Sequence, residues 1–340
     1  MNEIQLLHGD CLIELKKFPD NTFDSIVTDP PYGISFMGKK WDYDVPSVEI
    51  WKECLRVLKP GGHLLAFAGT RTQHRMAINI EDAGFEIRDM IAWVYGSGFP
   101  KSQNLGNGVG TALKPALEPI TMARKPLGEQ TIAGNVLKYG TGGLNIDECR
   151  VPSKPGEYDI KHYEKEDCFR NDKPKQSKFQ VKPQPSGRWP ANLIHDGTAE
   201  VEAGFPNSKS CDTPSNARSE GTILGGSRTQ GQIYPGEDGS ASRFFYCPKS
   251  SNKDRNDGMR MGVNNHPTVK PVELMKYLIK LITPKDGIVL DPFMGSGSTG
   301  VAAKYDNFKF CGIELDKEYF EIAKERIDST QAPGSLESFL

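Results

Sequence analysis

A chain of 340 residues, of which 37% are hydrophobic, is long enough for one large α/β domain with an insertion or for two domains. The net charge of −2 and the sequence pI near 6.3 argue against a protein held on nucleic acid by bulk charge, although a local basic groove is compatible with both values. The seven cysteines show no C-x-x-C spacing and no Cys/His cluster, which excludes a disulfide framework and a zinc site. With no visible signal peptide and no apolar run of membrane-spanning length, a cytoplasmic protein with reduced thiols is expected.

The first hundred residues alternate between apolar runs and helix-like segments, which predicts a parallel α/β sheet. The predicted elements are strands at 4–11 (ending in a polar turn), 25–27, 63–69 and 85–95, and helices at 12–18, 48–58 and 72–83. The run at 63–69 is continuously apolar, as in parallel strands that are buried on both faces.

From residue 96 to about residue 263 the apolar periodicity is weak, and Gly, Pro, Ser, Asn and charged residues dominate. Strand-like pieces lie at 119–123, 188–194 and 243–247, and the segment 154–182 is rich in Lys with interleaved aromatic residues. An unstructured stretch of this length is unusual inside a compact domain, so an inserted irregular lobe is predicted, parts of which order on binding.

Regular patterns return after this region. They predict a helix along 274–281, a strand, glycine turn and helix within 287–304, a strand at 308–314 and a last helix at 317–327. The tail from residue 329 has the composition of a disordered segment.

The tetrapeptide Asp29-Pro30-Pro31-Tyr32 follows the second predicted strand. Two prolines cannot continue a ladder, so the backbone leaves the sheet at the edge where open α/β sheets bind ligands. The Asp29 carboxylate and the Pro30 carbonyl form a double acceptor for a group with two N–H donors, such as an aromatic amine, and Tyr32 can stack on a planar partner. The alternative is a strand-ending turn with a solvated Asp.

The loop after this turn contains glycine, cations and aromatic rings together, including Lys39, Lys40 and Trp41. This combination favours a mobile loop over a binding site. An ordinary surface loop with one half-buried Trp is the alternative.

A glycine turn forms the second candidate site. Gly295, Gly297 and Gly300 match G-x-G-x-x-G between a predicted strand and a predicted helix, and Glu314 ends the next strand about twenty residues on, where a ribose partner is expected. The pattern indicates a nucleoside-bearing cofactor, either a nicotinamide or flavin dinucleotide or S-adenosylmethionine. Asp291 favours the second, because a carboxylate before the turn repels a pyrophosphate and attracts the ammonium of a methionine moiety. A merely tight strand-to-helix turn is the structural alternative.

Three motifs together resemble the amino-methylating DNA methyltransferases, which modify adenine N6 or cytosine N4. They are the D-P-P-Y at 29–32, the D-P-F-M-G-S-G-S-T at 291–299 and the H-P-T-V-K-P at 266–271. The catalytic half precedes the cofactor half, as in the circularly permuted beta group. Release-factor glutamine methyltransferases carry a similar N-P-P-Y after the cofactor motif, so the motif order counts against them.

The resemblance covers residues 1–100 and 264–328. It implies a Rossmann-like, S-adenosylmethionine-dependent methyltransferase fold, α/β and circularly permuted, whose sheet is mostly parallel with one antiparallel strand. In such a sheet, 308–313 lies beside 5–8. The implied division is a catalytic half at 1–100, a target-recognition insertion at 101–263, a cofactor-binding half at 264–328 and a flexible tail at 329–340.

The resemblance also implies roles for individual residues. In the cofactor site these are Asp10 and Cys11 beside the adenine, Asp291, Phe293, Gly295 and Gly297 at the methionine end, Thr268 and Lys270 near the carboxylate, and Glu314 on the ribose hydroxyls. Trp93 and the turn at 98–102 correspond to the wall of the target-base pocket, which is a weaker match.

The implied activity is sequence-specific transfer of a methyl group from S-adenosylmethionine to N6 of a flipped-out adenine in double-stranded DNA. Asp29, Pro30, Pro31 and Tyr32 are the catalytic residues, and no metal is required. Adenine is preferred because Asp heads the tetrapeptide, a habit of the family. N4-cytosine methylation is the alternative, with an NAD-dependent oxidoreductase or a catalytically inert DNA-binding protein as more distant ones.

DNA affinity is expected from cations of the insertion and from Lys39, Lys40, Trp41 and Lys101. The resemblance leaves a homodimer and a cognate restriction endonuclease open as partners, and no membrane partner is expected.

Overall fold

The computed structural model describes residues 4–35, 42–98, 103–152, 187–209, 213–214, 233–234, 238–248, 264, 266 and 268–331. Its strands are β1 (Ile4–His8), β2 (Phe23–Thr28), β3 (Leu58–Phe67), β4 (Glu86–Val94), β5 (Asn104–Gly106), β6 (Val109–Gly110), β7 (Leu117–Arg124), β8 (Leu193–His195), β9 (Asn207–Lys209), β10 (Thr213–Pro214), β11 (Ile233–Tyr234), β12 (Asp238–Ser240), β13 (Ile288–Asp291) and β14 (Lys309–Glu314). Its helices are α1 (Cys11–Leu15), α2 (Val48–Val57), α3 (Gln73–Asp82), α4 (Ile132–Tyr139), α5 (Ala199–Gly204), α6 (Val272–Ile282), α7 (Ser298–Tyr305) and α8 (Lys317–Ser329), with 3-10 turns at Asp147–Cys149 and Ala241–Phe244.

The central sheet has the strand order β1-β14-β13-β2-β3-β7-β4-β8. Neighbouring strands are parallel from β1 through β3 and again between β4 and β8, whereas β7 is antiparallel to both β3 and β4. The expected, mostly parallel sheet with one antiparallel strand is therefore confirmed. The expected meeting of the chain ends is also confirmed, because Ile4 pairs with Phe310 and His8 pairs with Glu314.

Helices cover both faces of the middle of this sheet, which is why a central strand such as β2 is buried along its whole length. On one face α1, α2 and α3 pack on side chains such as Ile26 and Leu64. On the other face, α6, α7 and α8 pack on Val27 and Leu65, the residues that follow Ile26 and Leu64 in the two strands. Full burial of such a side chain stabilises the fold by about 1.5–3 kcal/mol. This three-layer core therefore holds the strands in place, and with them the turns that follow their carboxyl ends.

The central sheet extends into the range that the sequence division assigns to the insertion. β7 lies between β3 and β4, and β8 forms an edge. Small two-stranded sheets pair β5 with β6, β9 with β12 and β10 with β11. The prediction of a strand at 243–247 was wrong for its first two residues, which belong to the 3-10 turn Ala241–Phe244. The Ser240 hydroxyl caps this turn by accepting a hydrogen bond from the Ser242 amide.

None of the helices within the described residues has the length and apolar character that a bilayer span requires. The cysteines of the described residues are free thiols, at positions 11, 54, 149, 247 and 311.

Candidate active site

A cavity of about 1560 Å³ lies at the carboxyl ends of β2, β13 and β14. Its lining includes most of the predicted site residues, namely Asp10, Cys11, Asp29, Pro30, Pro31, Tyr32, Thr268, Lys270, Asp291, Phe293, Gly295 and Glu314. Ligand pockets commonly measure about 300–1,000 Å³, so this one has room for a nucleoside cofactor together with a planar substrate. The early D-P-P-Y turn and the late glycine turn therefore share one cavity.

The backbone of the D-P-P-Y turn is held by Asp42, which sequence reasoning missed. One oxygen of this buried carboxylate accepts hydrogen bonds from the amides of Tyr32 (2.6 Å) and Gly33 (2.9 Å). The other accepts from the amide of Ile34 at 3.3 Å. Three charge-assisted hydrogen bonds to successive amides fix the direction in which the chain leaves β2.

Asp29 sits in a cluster of polar side chains at the end of β2. Its Oδ1 accepts from the Tyr32 hydroxyl at 2.7 Å, and its Oδ2 accepts from the Lys270 ammonium at 2.7 Å. Glu118, at the start of β7, lies 3.2 Å from the same ammonium and 3.0 Å from the same hydroxyl. Among the described residues, nothing donates to the Pro30 carbonyl, and Pro31 has no N–H to compete for it.

Electrostatics keep both donors of this cluster protonated. Burial and the neighbouring Asp29 and Glu118 raise the pKa of the Tyr32 phenol well above its ordinary value. Burial lowers the pKa of the Lys270 ammonium, but Asp29 and Glu118 outweigh that effect and hold the pKa above its ordinary value. The cluster therefore contains one cation and two carboxylates bridged by a neutral phenol.

Lys270 lines the cavity beside the D-P-P-Y turn, where its buried ammonium contacts Asp29, Glu118 and Tyr32. The contact with a cofactor carboxylate that the resemblance implied stays a prediction. Two carboxylates within hydrogen-bond reach determine its position in the structure. Thr268 does line the cavity, and the His266 ring beside it packs against Tyr319.

Asp291 is buried and its oxygens are used by the fold. Oδ1 accepts from the Thr28 hydroxyl at 2.6 Å and the Phe293 amide at 3.1 Å, and Oδ2 accepts from the Thr299 hydroxyl at 2.6 Å. Burial raises the pKa of this carboxyl to about 6 despite those hydrogen bonds. The side chain was expected to attract an ammonium, and the structure shows it tying β2, β13 and α7 together at the cavity floor.

The glycine turn adopts backbone geometry that favours glycine. Gly295 and Gly297 have φ values of +53° and +83°, both in the left-handed region. A Cβ on Gly297 would lie 3.0 Å from the Ala323 Cβ, so α8 packs directly on the turn. The buried Arg326 guanidinium donates to the Ser296 carbonyl at 2.5 Å and holds the turn from behind. Gly297 supports the cavity without lining it.

Glu314 connects the turn to the next strand. Its Oε2 accepts from the Gly295 amide and its Oε1 from the Asp316 amide, both at 2.8 Å. Burial raises the pKa of this carboxyl to about 7, and the charges of Asp291 and Asp316 act in the same direction. A titratable acid is thus fixed at the position where a ribose hydroxyl partner was predicted.

Asp10 and Cys11 lie at the start of α1, directly after β1, which is the neighbour of β14 in the sheet. The Asp10 side chain caps the helix by accepting from the Ile13 amide at 3.1 Å. Burial raises the pKa of the Cys11 thiol to about 12, so it stays protonated at neutral pH and is not a nucleophile.

Other predicted contacts fall outside this cavity or outside the described residues. Trp93 packs against Phe67, with ring centroids 6.4 Å apart, and it is Tyr95 that lines the cavity. Lys39, Lys40, Trp41 and Lys101 lie outside the described residues, as does the Lys-rich segment 154–182.

The residues at the glycine-turn end of the cavity fit a positively charged nucleoside cofactor. Four carboxylates line this end, those of Asp10, Asp291, Glu314 and Asp316. Such a donor set disfavours a pyrophosphate and suits hydroxyl groups and cations. The geometry therefore agrees with S-adenosylmethionine better than with a dinucleotide.

Comparison with known proteins identifies similar chains among the DNA methyltransferases. The sequence model of a family described as DNA methylase, of the N6/N4 type, matches residues 23–325. The type II methyltransferase M.HpaI of Haemophilus parainfluenzae is 26% identical over 336 residues, covering 96% of this chain and 74% of that protein. The DNA adenine methyltransferase YhdJ of Escherichia coli is 26% identical over 337 residues, covering 95% of this chain and 82% of that protein.

A solved structure shows the same fold. The cytosine-N4-specific PvuII DNA methyltransferase superposes with a TM-score of 0.55 at 16% identity, over 99% of this chain and 91% of that chain.

Proposed function

We propose, from the fact that this chain belongs to the N6/N4 DNA methylase family, that it methylates the N6 amino group of adenine in double-stranded DNA. S-adenosylmethionine is the cofactor of this family, and the carboxylate-lined end of the cavity fits it. The observation that carries the proposal is the single cavity lined both by the Asp29–Tyr32 turn and by Gly295 and Ser296 of the glycine turn.

We assign the cofactor to the glycine-turn end of the cavity. Glu314 would accept hydrogen bonds from the ribose hydroxyls, Asp10 and Cys11 would border the adenine, and Gly295 and Phe293 would border the methionine moiety. When bound, S-adenosylmethionine supplies an electrophilic methyl group on a positively charged sulfur.

The D-P-P-Y turn would hold the target base. An aromatic amino nitrogen is a poor nucleophile because its lone pair is delocalised into the ring. The Asp29 carboxylate and the Pro30 carbonyl can accept its two hydrogens, which favours a pyramidal nitrogen with a localised lone pair, and Tyr32 can stack on the ring. These interactions strengthen toward the transition state, so they lower the barrier. The base must first leave the duplex, which costs a few kcal/mol.

Adenine is proposed over cytosine for two reasons. Asp heads the tetrapeptide, as in the adenine-modifying enzymes that the motifs resemble. One relative matched over 95% of this chain is named a DNA adenine methyltransferase. Cytosine N4 is the second candidate, since the PvuII enzyme that shares the fold is cytosine-N4-specific.

The proposal is tested by expressing the protein in a host strain that lacks its own DNA methylation. Genomic DNA is then digested to nucleosides and analysed by mass spectrometry, with an Asp29→Ala variant as the matched negative control. N6-methyladenine in the wild-type sample alone is the expected result. Detection of N4-methylcytosine instead would change the proposed target base to cytosine. The absence of both methylated nucleosides would overturn the proposed activity. Methylation-sensitive sequencing of the same DNA gives the recognition site.

The affinity for the cofactor product, S-adenosylhomocysteine, is expected to fall about tenfold between pH 8 and pH 6. Burial raises the pKa of Glu314 to about 7, so the free protein carries the proton at pH 6 and must release it to accept both ribose hydroxyls. Isothermal titration calorimetry measures the change. The Glu314→Gln variant should bind more weakly at pH 8 and show a flatter profile. An equally steep profile in that variant would assign the titration to another group, such as Asp291.

The Lys-rich segment is expected to supply DNA affinity. Val151 and Arg188 flank it and exchange backbone hydrogen bonds of 3.0 and 2.8 Å, so residues 153–186 can be replaced by a short glycine linker without separating them. The deletion should weaken DNA binding and flatten its salt dependence, because each phosphate contact contributes about 0.9 to the slope of log affinity against log salt. Fluorescence anisotropy measures both quantities. An unchanged affinity and an unchanged sequence preference would contradict this assignment, and unchanged cofactor binding is the control for folding.

A further inference from the structure

Both oxygens of the Asp29 carboxylate are occupied in the structure. The Tyr32 hydroxyl is 2.7 Å from Oδ1 and the Lys270 ammonium is 2.7 Å from Oδ2. A target amine that binds Asp29 therefore competes with these donors for the carboxylate, because each oxygen already uses one of its two lone pairs. A donor that gives way to the amine needs another acceptor, because an unpaired buried charge or hydroxyl is costly.

Lys270 is the donor for which this cost is largest. Its side chain is only 7% exposed, and its ammonium lies over the rings of Tyr32 and Phe67 at 5.4 and 4.9 Å. The aromatic faces attract the cation weakly and leave it little access to water. A buried cation in this environment stays in place only while a carboxylate neutralises it.

Glu118 already stands within reach of both donors. Its Oε2 lies 3.2 Å from the Lys270 ammonium and 3.0 Å from the Tyr32 hydroxyl, so one oxygen can accept from both. β7 runs antiparallel to β3, so its first residues lie at the edge where β2 and β3 end, and this places Glu118 at the cavity. The carboxylate comes from a strand distant in sequence from both catalytic motifs.

We propose that Glu118 is a positioning residue that receives the Lys270 ammonium and the Tyr32 hydroxyl when the target amine occupies Asp29. This inference rests on the proposed function and adds a residue to it. Without the Glu118 charge, Lys270 has Asp29 as its remaining carboxylate partner in the cluster, and the ammonium competes directly with the base. With Glu118 present, the cation keeps a partner of full charge while Asp29 accepts the amine.

The test is the isosteric substitution Glu118→Gln, with Glu118→Asp as the charge-retaining variant. Glu118→Gln should lower kcat/KM for DNA by about 10- to 100-fold, the loss typical of misplaced reacting groups. Glu118→Asp should recover part of that loss. The affinity for S-adenosylhomocysteine and the thermal midpoint should stay close to the wild-type values, since neither depends on the exchange of partners.

The matched control is Glu86→Gln on β4. Glu86 also neutralises a buried cation of β7, Arg124, at 2.6 Å, but it lies near the opposite end of that strand and does not line the cavity. It should change stability and leave kcat/KM unaltered. A second readout is 2-aminopurine fluorescence at the target position of the recognition site. The signal of the base entering the pocket should fall in Glu118→Gln and be normal in Glu86→Gln.

The outcomes separate the two proposals. A wild-type protein that methylates no adenine or cytosine refutes the proposed function, and this inference falls with it. An active wild type with normal kcat/KM and fluorescence in Glu118→Gln refutes the role of Glu118 alone. Parallel losses of thermal stability, cofactor affinity and activity in Glu118→Gln would show a merely structural residue and would also overturn the inference.

Discussion

Replacing Asp29 with alanine is expected to slow methyl transfer by about 100- to 1,000-fold, the usual effect of removing one preorganised polar contact to a transition state. The substitution removes the charged member of the acceptor pair and leaves the Pro30 carbonyl alone to orient the amine. Folding should survive, because Lys270 keeps Glu118 as a carboxylate partner at 3.2 Å. Cofactor binding should also survive, since Glu314 and the glycine turn are untouched. Transfer of a labelled methyl group to DNA under single-turnover conditions measures the rate.

The matched control is Asp20→Ala, which removes an exposed carboxylate paired with Arg56 at 2.7 Å and away from the cavity lining. Exposed ion pairs contribute little to stability, so both the activity and the unfolding midpoint of this variant should stay near wild type. Near-normal methyl transfer by Asp29→Ala would remove Asp29 from the mechanism.

Replacing Gly297 with alanine is expected to lower the free energy of unfolding by about 2 to 5 kcal/mol. A left-handed backbone costs an L-residue about 1–2 kcal/mol, and overpacking a core costs about 1–3 kcal/mol. Both effects apply, because φ is +83° and the new Cβ would lie 3.0 Å from the Ala323 Cβ and 3.1 Å from the Ile327 Cδ1. Urea denaturation measures the loss, and calorimetry should show weaker cofactor binding because the turn is displaced.

Gly106 separates the two contributions. Its φ of +86° is nearly the same, but a Cβ there would meet no atom within 4 Å. Gly106→Ala should therefore show the backbone cost without the packing cost and should not change cofactor affinity. Equal destabilisation by the two substitutions would mean that α8 does not press on the glycine turn.

The sheet and the two turns could be predicted because their signals are local. Parallel strands covered on both faces leave continuous apolar runs, as in β3 and β14. The turns that follow β2 and β13 carry residues with few backbone options, the prolines at 30 and 31 and the glycines at 295 and 297. The order of the two motifs along the chain was enough to predict that β1 and β14 are neighbours.

The polar contacts inside the cavity could not be predicted from local pattern. Lys270 contacts Asp29, which lies 241 positions earlier, and Glu118 belongs to a third segment. The resemblance implied a cofactor contact for Lys270, but the local pattern carries no information about which carboxylates the sheet brings near its ammonium. Asp42 is nearer, ten positions after Tyr32, yet its residue type alone gives no sign that it binds three amides.

The helix α4 was missed for a different reason. It has only eight residues and lies in the stretch where Gly, Pro, Ser, Asn and charged residues dominate, so its apolar spacing was too short to stand out. The end signals were present, with the Thr131 hydroxyl accepting from the Gly134 amide and Gly140 closing the helix at φ +77°. Attention to caps in place of periodicity would have found it.

The placement of β13 and β14 between β1 and β2 has a consequence for biosynthesis. While the ribosome is still making the middle of the chain, β1 has no neighbour in the central sheet, and β2 can pair only with β3. Both gaps close only when residues 288–314 have emerged, so the sheet is completed well after its first strands have been translated. Such late, long-distance pairing makes folding slow and leaves strand edges exposed to aggregation during synthesis. Nascent chains halted before residue 288 should therefore be protease-sensitive and dependent on chaperones.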